Sequence, residues 1–326
     1  MKNILVTGGA GFIGSNFIRY LIHTNPELYI INLDALTYAG NLDNLADLSP
    51  TDHYKFVMGD ISNQTTVMGT VRVNHIDTII NFAAESHVDR SVDYRSRVFV
   101  KTNVVGVGVL LNIALKVGIE KFIQIGTDEV YGSLEEESPS SVETDVLNPR
   151  SPYAATKASA DLLALSYYHT HGLPMCITRS SNNYGAYQYP EKIIPLFITN
   201  ILRGKKVPLY GDGRNIRDWL HVEDNCEGIA QVLWHGRPGE IYNIAGGNEV
   251  RNIDLTYRIL EIMGMDCYDA HINRVTDRKG HDWRYSMNCT KIKRELDWEP
   301  RRGFDEGLVK TVRWYKDNEA WWKKLI

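Results

Sequence analysis

Thr127, Asp128 and Glu129 open the run Thr127-Asp128-Glu129-Val130-Tyr131-Gly132, and Tyr153-Ala154-Ala155-Thr156-Lys157 follows it within about thirty residues. Tyr153 and Lys157 are four apart, so on a helix they share one face. A free tyrosine ionises near ~10, and service as a base near neutrality needs a shift of about 3 units, or roughly 4 kcal/mol. One ammonium at ~4 Å, at an effective dielectric of ~20, contributes on the order of 4 kcal/mol, so Lys157 is expected to activate Tyr153. Tyr-x-x-x-Lys also arises by chance as helix decoration. A strand ending in Gly126-Thr127 ahead of it gives the pair chemical meaning, because it would bring the Thr127 hydroxyl and the Tyr153 phenol to one strand edge.

Asp128 and Glu129 separate reaction classes. A simple alcohol oxidation needs one base and gains nothing from two more carboxyl groups beside it. Removing water from a sugar needs a base for a carbon-bound proton and an acid for the departing hydroxyl, a division that unlike pKa values in one site allow. A sugar C5 proton is not removable until C4 is a ketone, so oxidation must come first and the hydride must return to C6 afterwards. The bland alternative is that both carboxylates cap the segment after a strand and face solvent.

Gly8-Gly9-Ala10-Gly11-Phe12-Ile13-Gly14 follows the strand pattern Ile4-Leu5-Val6 and opens a helix. Gly8, Gly11 and Gly14 let a pyrophosphate approach unpaired N–H groups at the helix start, with Phe12 and Ile13 between them. Asp34 lies twenty positions beyond Gly14, where a carboxylate can accept both hydroxyls of an adenine ribose and repel a 2′-phosphate. Neither Leu33 nor Ala35 is an arginine, so NAD is expected rather than NADP. Asp60 and Ile61, after the third strand, are expected to flank the adenine. A glycine turn that only packs helix on strand, with Asp34 a solvated cap, is the structural alternative.

These residues need a scaffold. Short β-branched runs at Ile4–Thr7, Tyr29–Leu33, Lys55–Met58, Thr78–Phe82, Lys121–Ile125 and Met175–Thr178 alternate with helical spacing at 16–23, 64–73, 98–117 and 153–171. That pattern is an α/β doubly wound (Rossmann) parallel sheet. After about Arg179 the texture turns to Asn-, Tyr-, Gly- and Pro-rich loops with helical patterns at 192–202 and 254–263 and a Trp-rich tail. The expected division is a NAD-binding domain over 1–178 and, over 179–326, mainly a smaller mixed α/β domain for a sugar nucleotide, with some segments returning to the sheet.

At 326 residues and 43% hydrophobic, the chain can bury a real core. Its net charge of -4 makes no overall case for nucleic acid or an anionic membrane. Cys176, Cys226, Cys267 and Cys289 lie far apart with no Cys-x-x-Cys pair, which suggests neither zinc nor a disulfide framework and fits a cytoplasmic protein. No basic-then-apolar leader and no apolar run of about 18 residues is evident, so no membrane partner is expected.

Over essentially its whole length the chain strongly resembles the extended short-chain dehydrogenase/reductase superfamily, and within it the nucleotide-sugar 4,6-dehydratases. Besides the glycine turn and Tyr153/Lys157, the match includes Phe82-Ala83-Ala84-Glu85-Ser86-His87-Val88-Asp89-Arg90-Ser91, Ser181-Asn182-Asn183-Tyr184-Gly185 and Pro190-Glu191-Lys192. The Thr-Asp-Glu signature is the specific part; related 4-epimerases generally lack the Asp-Glu pair. The resemblance implies Asp128 as acid toward the C6 hydroxyl, Glu129 as base at C5, Tyr153 as base at the C4 hydroxyl and Thr127 orienting the C4 oxygen. It further implies Ala83, Thr102 and Asn183 as NAD contacts, and Ser86, Asn182, Lys192, Arg217, Asn252 and His281 as contacts to the sugar nucleotide, Arg217 and His281 suiting a diphosphate on charge grounds as well. The implied substrate is dTDP-glucose, with base recognition resting on loops around Lys192, Pro208 and Tyr210.

Lys279 and Ala186 stand where the family usually has Pro, which bears on the nucleotide end. UDP-, CDP- or GDP-sugars, a 4-epimerase and a binding-only nucleotide sensor remain as alternatives. The family implies a homodimer joined by two helices per subunit, here the patterns at 98–117 and 153–171. Leu162, Leu163, Leu165, Tyr167 and Tyr168 give the second helix apolar surface on more than one face.

Overall fold

A computed structural model describes residues 1–48, 53–92 and 96–326. Seven parallel strands make the central sheet: β1 (Asn3–Thr7), β2 (Tyr29–Asp34), β3 (Tyr54–Met58), β4 (Thr78–Asn81), β5 (Lys121–Thr127), β6 (Met175–Ser180) and β10 (Ile241–Ile244), in the order 10-6-5-4-1-2-3. β7 (Asn182–Tyr184), β8 (Val207–Tyr210) and β9 (Ile216–His221) lie outside it. The six strands expected from sequence all take their places, and β10, from late in the chain, adds an edge strand beside β6.

Alternating side chains explain why the inner strands are largely apolar on both faces. Ile4 and Val6 point into one core with Phe17 and Ile18 of α1 (Phe12–Thr24), while Leu5 between them joins a second core on the opposite face. The second core is covered by α2 (Gln64–Val73), α3 (Ser96–Val117) and α4 (Pro152–His171). α4 has a firm start: the Ser151 hydroxyl accepts from the Ala154 amide at 3.1 Å and Pro152 takes the first helical position. That start sets Tyr153 in the first turn and Lys157 one turn on.

α3 is 22 residues long with a mean hydropathy of 1.8 over its most apolar stretch, enough by length and composition to cross a membrane. The expectation that nothing approaches that length is corrected here, since Lys101 and Lys116 interrupt the sequence pattern but not the helix. It lies along the sheet, with Leu110, Leu111, Ile113 and Ala114 fully buried. Over Val100–Gly106 its turns widen to i→i+5 bonding. Asn103 in this stretch accepts from the Glu85 amide at 2.8 Å and donates to the Glu85 carbonyl and the Thr156 hydroxyl, each at 3.0 Å. The widened turn therefore ties the segment after β4 to α4 beside Tyr153.

The later chain builds a third core from α5 (Ile193–Leu202), α7 (Asn252–Ile262) and α9 (Phe304–Asp317). These helices pack with a three-stranded sheet, in which β9 pairs parallel to β7 and antiparallel to β11 (Glu249–Arg251), and with the parallel pair β8 and β12 (Ile272–Val275). Two helices lie elsewhere: α6 (Val222–His235), not anticipated from sequence, packs on α1, and α8 (Thr290–Leu296) packs on β10.

Candidate active site

A cavity of about 320 Å³ opens at the carboxyl ends of the strands, where chain reversal between β1 and β4 leaves a crevice. Gly8, Gly11, Phe12, Ile13, Gly14, Asp34, Asp60, Ile61 and Ala83 line one end; Ser86, Thr102, Thr127, Asp128, Glu129, Tyr153, Lys157, Asn182, Asn183 and Lys192 line the other.

Gly8 must be glycine for two reasons. Its φ is +68°, and a Cβ there would lie 2.6 Å from the Ala83 nitrogen. Asp34 closes β2 with its carboxylate on the Ala10 and Leu36 amides at 2.9 and 2.8 Å. Burial raises its pKa against those two bonds. The carboxylate thus fixes the glycine turn and keeps acceptor capacity for hydroxyls. Asp60 is partly engaged: burial pushes its carboxyl up, but Lys101 at 2.7 Å and Ser62 hold it below the ordinary value overall. Farther in, buried carbonyl oxygens of the Asn182, Asn183 and Gln188 side chains have no partner. A glycine cradle, a terminal carboxylate and orphaned acceptors in one crevice suit a dinucleotide carrying a carboxamide.

The catalytic candidates converge. Thr127 ends β5; its hydroxyl donates to Asp128 Oδ1 at 3.1 Å and accepts from the Glu129 amide at 3.4 Å. Asp128 is 4% exposed, with its other oxygen unpartnered. Burial, then repulsion from Glu129 and from Asp218 of β9, push its carboxyl up to about 8, against the Thr127 bond and Arg217. Glu129 is also raised by burial, but Arg278, Lys192 and Arg217 all act to lower it. At neutral pH, Asp128 is therefore a proton donor, and Glu129 has the cations that favour a carboxylate.

Tyr153 and Lys157 share a helix face as expected, with the ammonium engaged by a strand carbonyl. Both are buried on one face of α4, but the Lys157 ammonium donates to the Ile125 carbonyl. The phenol is pushed well above its ordinary value by burial and by Glu129 and Asp128, with the Thr127 hydroxyl opposing. Lys157 is itself lowered to about 8 by burial, with Asp161 opposing. Spacing put the pair on one face; β5 decided which acceptor the ammonium took.

Pro208, Tyr210, Arg217, Asn252 and His281 do not line this cavity. Pro208 and Tyr210 lie on β8, paired with β12. Tyr210 donates to Asp89 at 3.2 Å and meets the His281 ring edge-on at 6.1 Å between centroids. Asn252 starts α7 with its side-chain oxygen unpartnered. Arg217 stacks over Tyr285, 4.3 Å from the ring centroid, and donates to the Ile216, Trp283 and Asp282 carbonyls. The charge argument for His281 fails: burial, Arg217 and Arg278 push it down to about 4, and it pairs with Asp277 at 2.7 Å, so its imidazole is neutral at pH 7.

Arg278 was not singled out from sequence. Its guanidinium is 3.6 Å from Asp89, and its Nε is buried without a partner. It acts on Glu129, Lys192, Arg217 and His281 together. Asp218 was also missed, and nothing local marks it: it matters through Asp128, ninety positions away.

A family model described as GDP-mannose 4,6 dehydratase matches residues 5–311. A dTDP-glucose 4,6-dehydratase of Streptomyces antibioticus is 50% identical over 328 residues, covering 99% of this chain and 95% of that protein. The crystal structure of dTDP-glucose 4,6-dehydratase from Bacillus anthracis in complex with NAD is 49% identical, with a TM-score of 0.93 and 100% of both chains covered. DesIV, a dTDP-glucose 4,6-dehydratase of Streptomyces venezuelae solved with NAD and TYD bound, is 49% identical with a TM-score of 0.95, covering 99% of this chain and 100% of that one.

Proposed function

Because the chain belongs to the nucleotide-sugar 4,6-dehydratase family of extended short-chain dehydrogenase/reductases, we propose that it converts dTDP-glucose to dTDP-4-keto-6-deoxyglucose. One observation carries the dehydratase reading over a 4-epimerase: two adjacent carboxyl groups, the buried Asp128 pushed up to about 8 and the half-buried Glu129 raised by burial but drawn down by Arg278, Lys192 and Arg217.

NAD, held in the glycine-lined end of the cavity, would supply the acceptor for the C4 hydride and the donor for C6. Tyr153 takes the C4 hydroxyl proton while Thr127 orients that oxygen and Lys157 provides the cation on the same helix face. Glu129 takes the C5 proton, now acidic beside a ketone, and Asp128 protonates the C6 hydroxyl, which leaves as water. Glu129, its carboxyl proton exchanged with water, reprotonates C5, and the proton gained by Tyr153 replaces the one Asp128 gave up. The cofactor is regenerated in every turnover.

In this reading residues 1–178 hold NAD through Gly8, Gly11, Phe12, Ile13, Gly14, Asp34, Asp60, Ile61, Ala83 and Thr102, joined by Asn183. Residues 179–326 mainly hold the sugar nucleotide through Asn182, Lys192, Pro208, Tyr210, Arg217, Asn252 and His281, joined by Ser86. Arg278 adds the second guanidinium a diphosphate requires. The protein acts as a homodimer through α3 and α4, which leave Val98, Val100, Val105, Leu115 and Leu162 exposed. A cytoplasmic setting suits its four free cysteines.

The test is to mix the purified protein with dTDP-, UDP-, CDP- and GDP-hexoses in heavy water. Loss of one water mass from the dTDP sugar, with deuterium at C5, is the expected product. Epimerisation without mass change, or no loss of water from any sugar, overturns the assignment.

A further inference from the structure

Below the catalytic pair α4 carries a third buried polar residue at the same spacing, Tyr153, Lys157, Asp161, and Asp161 is fully buried. One Asp161 oxygen accepts from Arg179 Nε at 2.9 Å and the other has no hydrogen-bond partner. Arg179, 1% exposed on β6, donates also to the Tyr131 hydroxyl at 2.9 Å, and that hydroxyl donates to Asn243 Oδ1 of β10 at 2.8 Å. A Cβ at Gly126 would lie 3.0 Å from Arg179 Cγ and 3.4 Å from Asp161 Oδ1. β5 thus presses on this ion pair one residue before Thr127. A buried, geometrically fixed ion pair with an unused carboxylate oxygen is costly to keep for stability alone.

We propose that Asp161, oriented by Arg179, is a positioning residue for the C4 oxidation: one turn from Lys157 on the same buried helix face, its unpartnered carboxylate oxygen keeps that side chain an ammonium able to serve Tyr153. The inference rests on the roles given above to Tyr153 and Lys157. Charged and titratable groups approach this part of α4 from several elements. Asp128, Glu129 and Tyr131 follow β5, Arg179 is on β6, Glu85, Asp89 and Arg90 follow β4, and α3 carries Arg97, Lys101 and Lys116 with no acidic side chain. Of these and Asp161, only Asp161 opposes the burial that would strip Lys157 of its proton.

The experiment uses a 6-deoxy analogue of the sugar nucleotide, which has no C6 hydroxyl to lose and so stops at the 4-ketone. Its C4 hydride leaves the sugar and its hydroxyl proton passes to the protein, leaving NADH to be read by absorbance. Across a pH series, Asp161→Asn should move the alkaline limb of NADH formation toward acid by about one unit or more, with a loss of roughly tenfold at about pH 8.5 and little change in KM. Asp161→Glu should retain much of the wild-type profile. Arg179→Lys, which keeps charge but not fork geometry, should move the limb the same way by less, and it carries the test should the Asn variant not accumulate folded.

Denaturant melts without the sugar nucleotide give a second readout. In Asp161→Asn the uncompensated lysine releases its proton at lower pH, so the stability deficit against wild type should narrow between about pH 6 and 8. A limb that stays in place in both variants, with a deficit constant in pH, overturns the proposal. If wild type makes no NADH from the analogue, the roles of Tyr153 and Lys157 fail instead.

Discussion

Asp128 and Glu129 are neighbours in the chain but answer to different charges: Glu129 and Asp218 repel Asp128, whereas Arg278, Lys192 and Arg217 attract Glu129. Once one of the two has ionised, its charge makes the second proton harder to remove. Burial raises both groups; the asymmetry comes from Asp218 of β9 on one and from Arg278 and Lys192 on the other, and it supports the proposed division into acid and base.

Since Asp128 must hold a proton to release water, dehydration should decline as pH rises through about 8. A kcat profile for water loss over about pH 6 to 10 checks this; a plateau through the upper half would contradict it. Asp128→Asn should lower dehydration by about a hundredfold or more while C4 oxidation persists, read as NADH retained on the protein.

The same residue costs stability. Its folded pKa, about 8, exceeds the ordinary 3.8, so the folded state holds an extra proton between those values and wild-type stability falls as pH rises across them. Asp128→Asn removes that loss. Urea melts should find the variant about as stable as wild type near pH 4 and more stable above about pH 8, by on the order of a few kcal/mol. Equal stabilities at high pH would show that the carboxyl is not strained by burial.

Glu129→Gln should abolish deuterium entry at C5 and leave sugar-nucleotide affinity nearly intact, because its proposed task begins only after C4 is oxidised. Proton NMR of the product made in heavy water reads C5 directly. Continued exchange would assign the C5 proton to another base.

Arg278→Ala should raise the KM for the sugar nucleotide roughly tenfold and move the acid limb of kcat toward higher pH, since Glu129 loses its most strongly acting cation. Arg278→Lys should restore the limb more fully than the KM. A change in KM without any change in the limb would confine Arg278 to binding.

Gly8→Ala forces a side chain into a left-handed φ of +68° and toward the Ala83 nitrogen at 2.6 Å. A loss of about 2 kcal/mol or more is expected, together with loss of NAD during purification. Calorimetry and the absorbance of released cofactor measure the two effects separately.

What could be read from sequence was local. The glycine turn before a helix, the acidic end of β2 and the face shared by Tyr153 and Lys157 follow from spacing, because backbone geometry fixes them within a few turns of chain. The inner strands β1, β2, β4, β5 and β6 were legible because both their faces are buried and their sequences are largely apolar. β10, short and distant, carried too weak a pattern to be placed.

Only tertiary structure decided the electrostatics. Lys157 spends its ammonium on the Ile125 carbonyl, His281 is neutral among guanidinium groups, and Asp128 keeps its proton because packing buries it beside Glu129, with Asp218 of another sheet adding to the repulsion. A pKa depends on burial and on every nearby charge in space, and those neighbours are scattered along the sequence. The residue types and their spacing thus determined which chemistry this chain could perform; the packing of β5, β9 and α4 decided which atoms hold the protons.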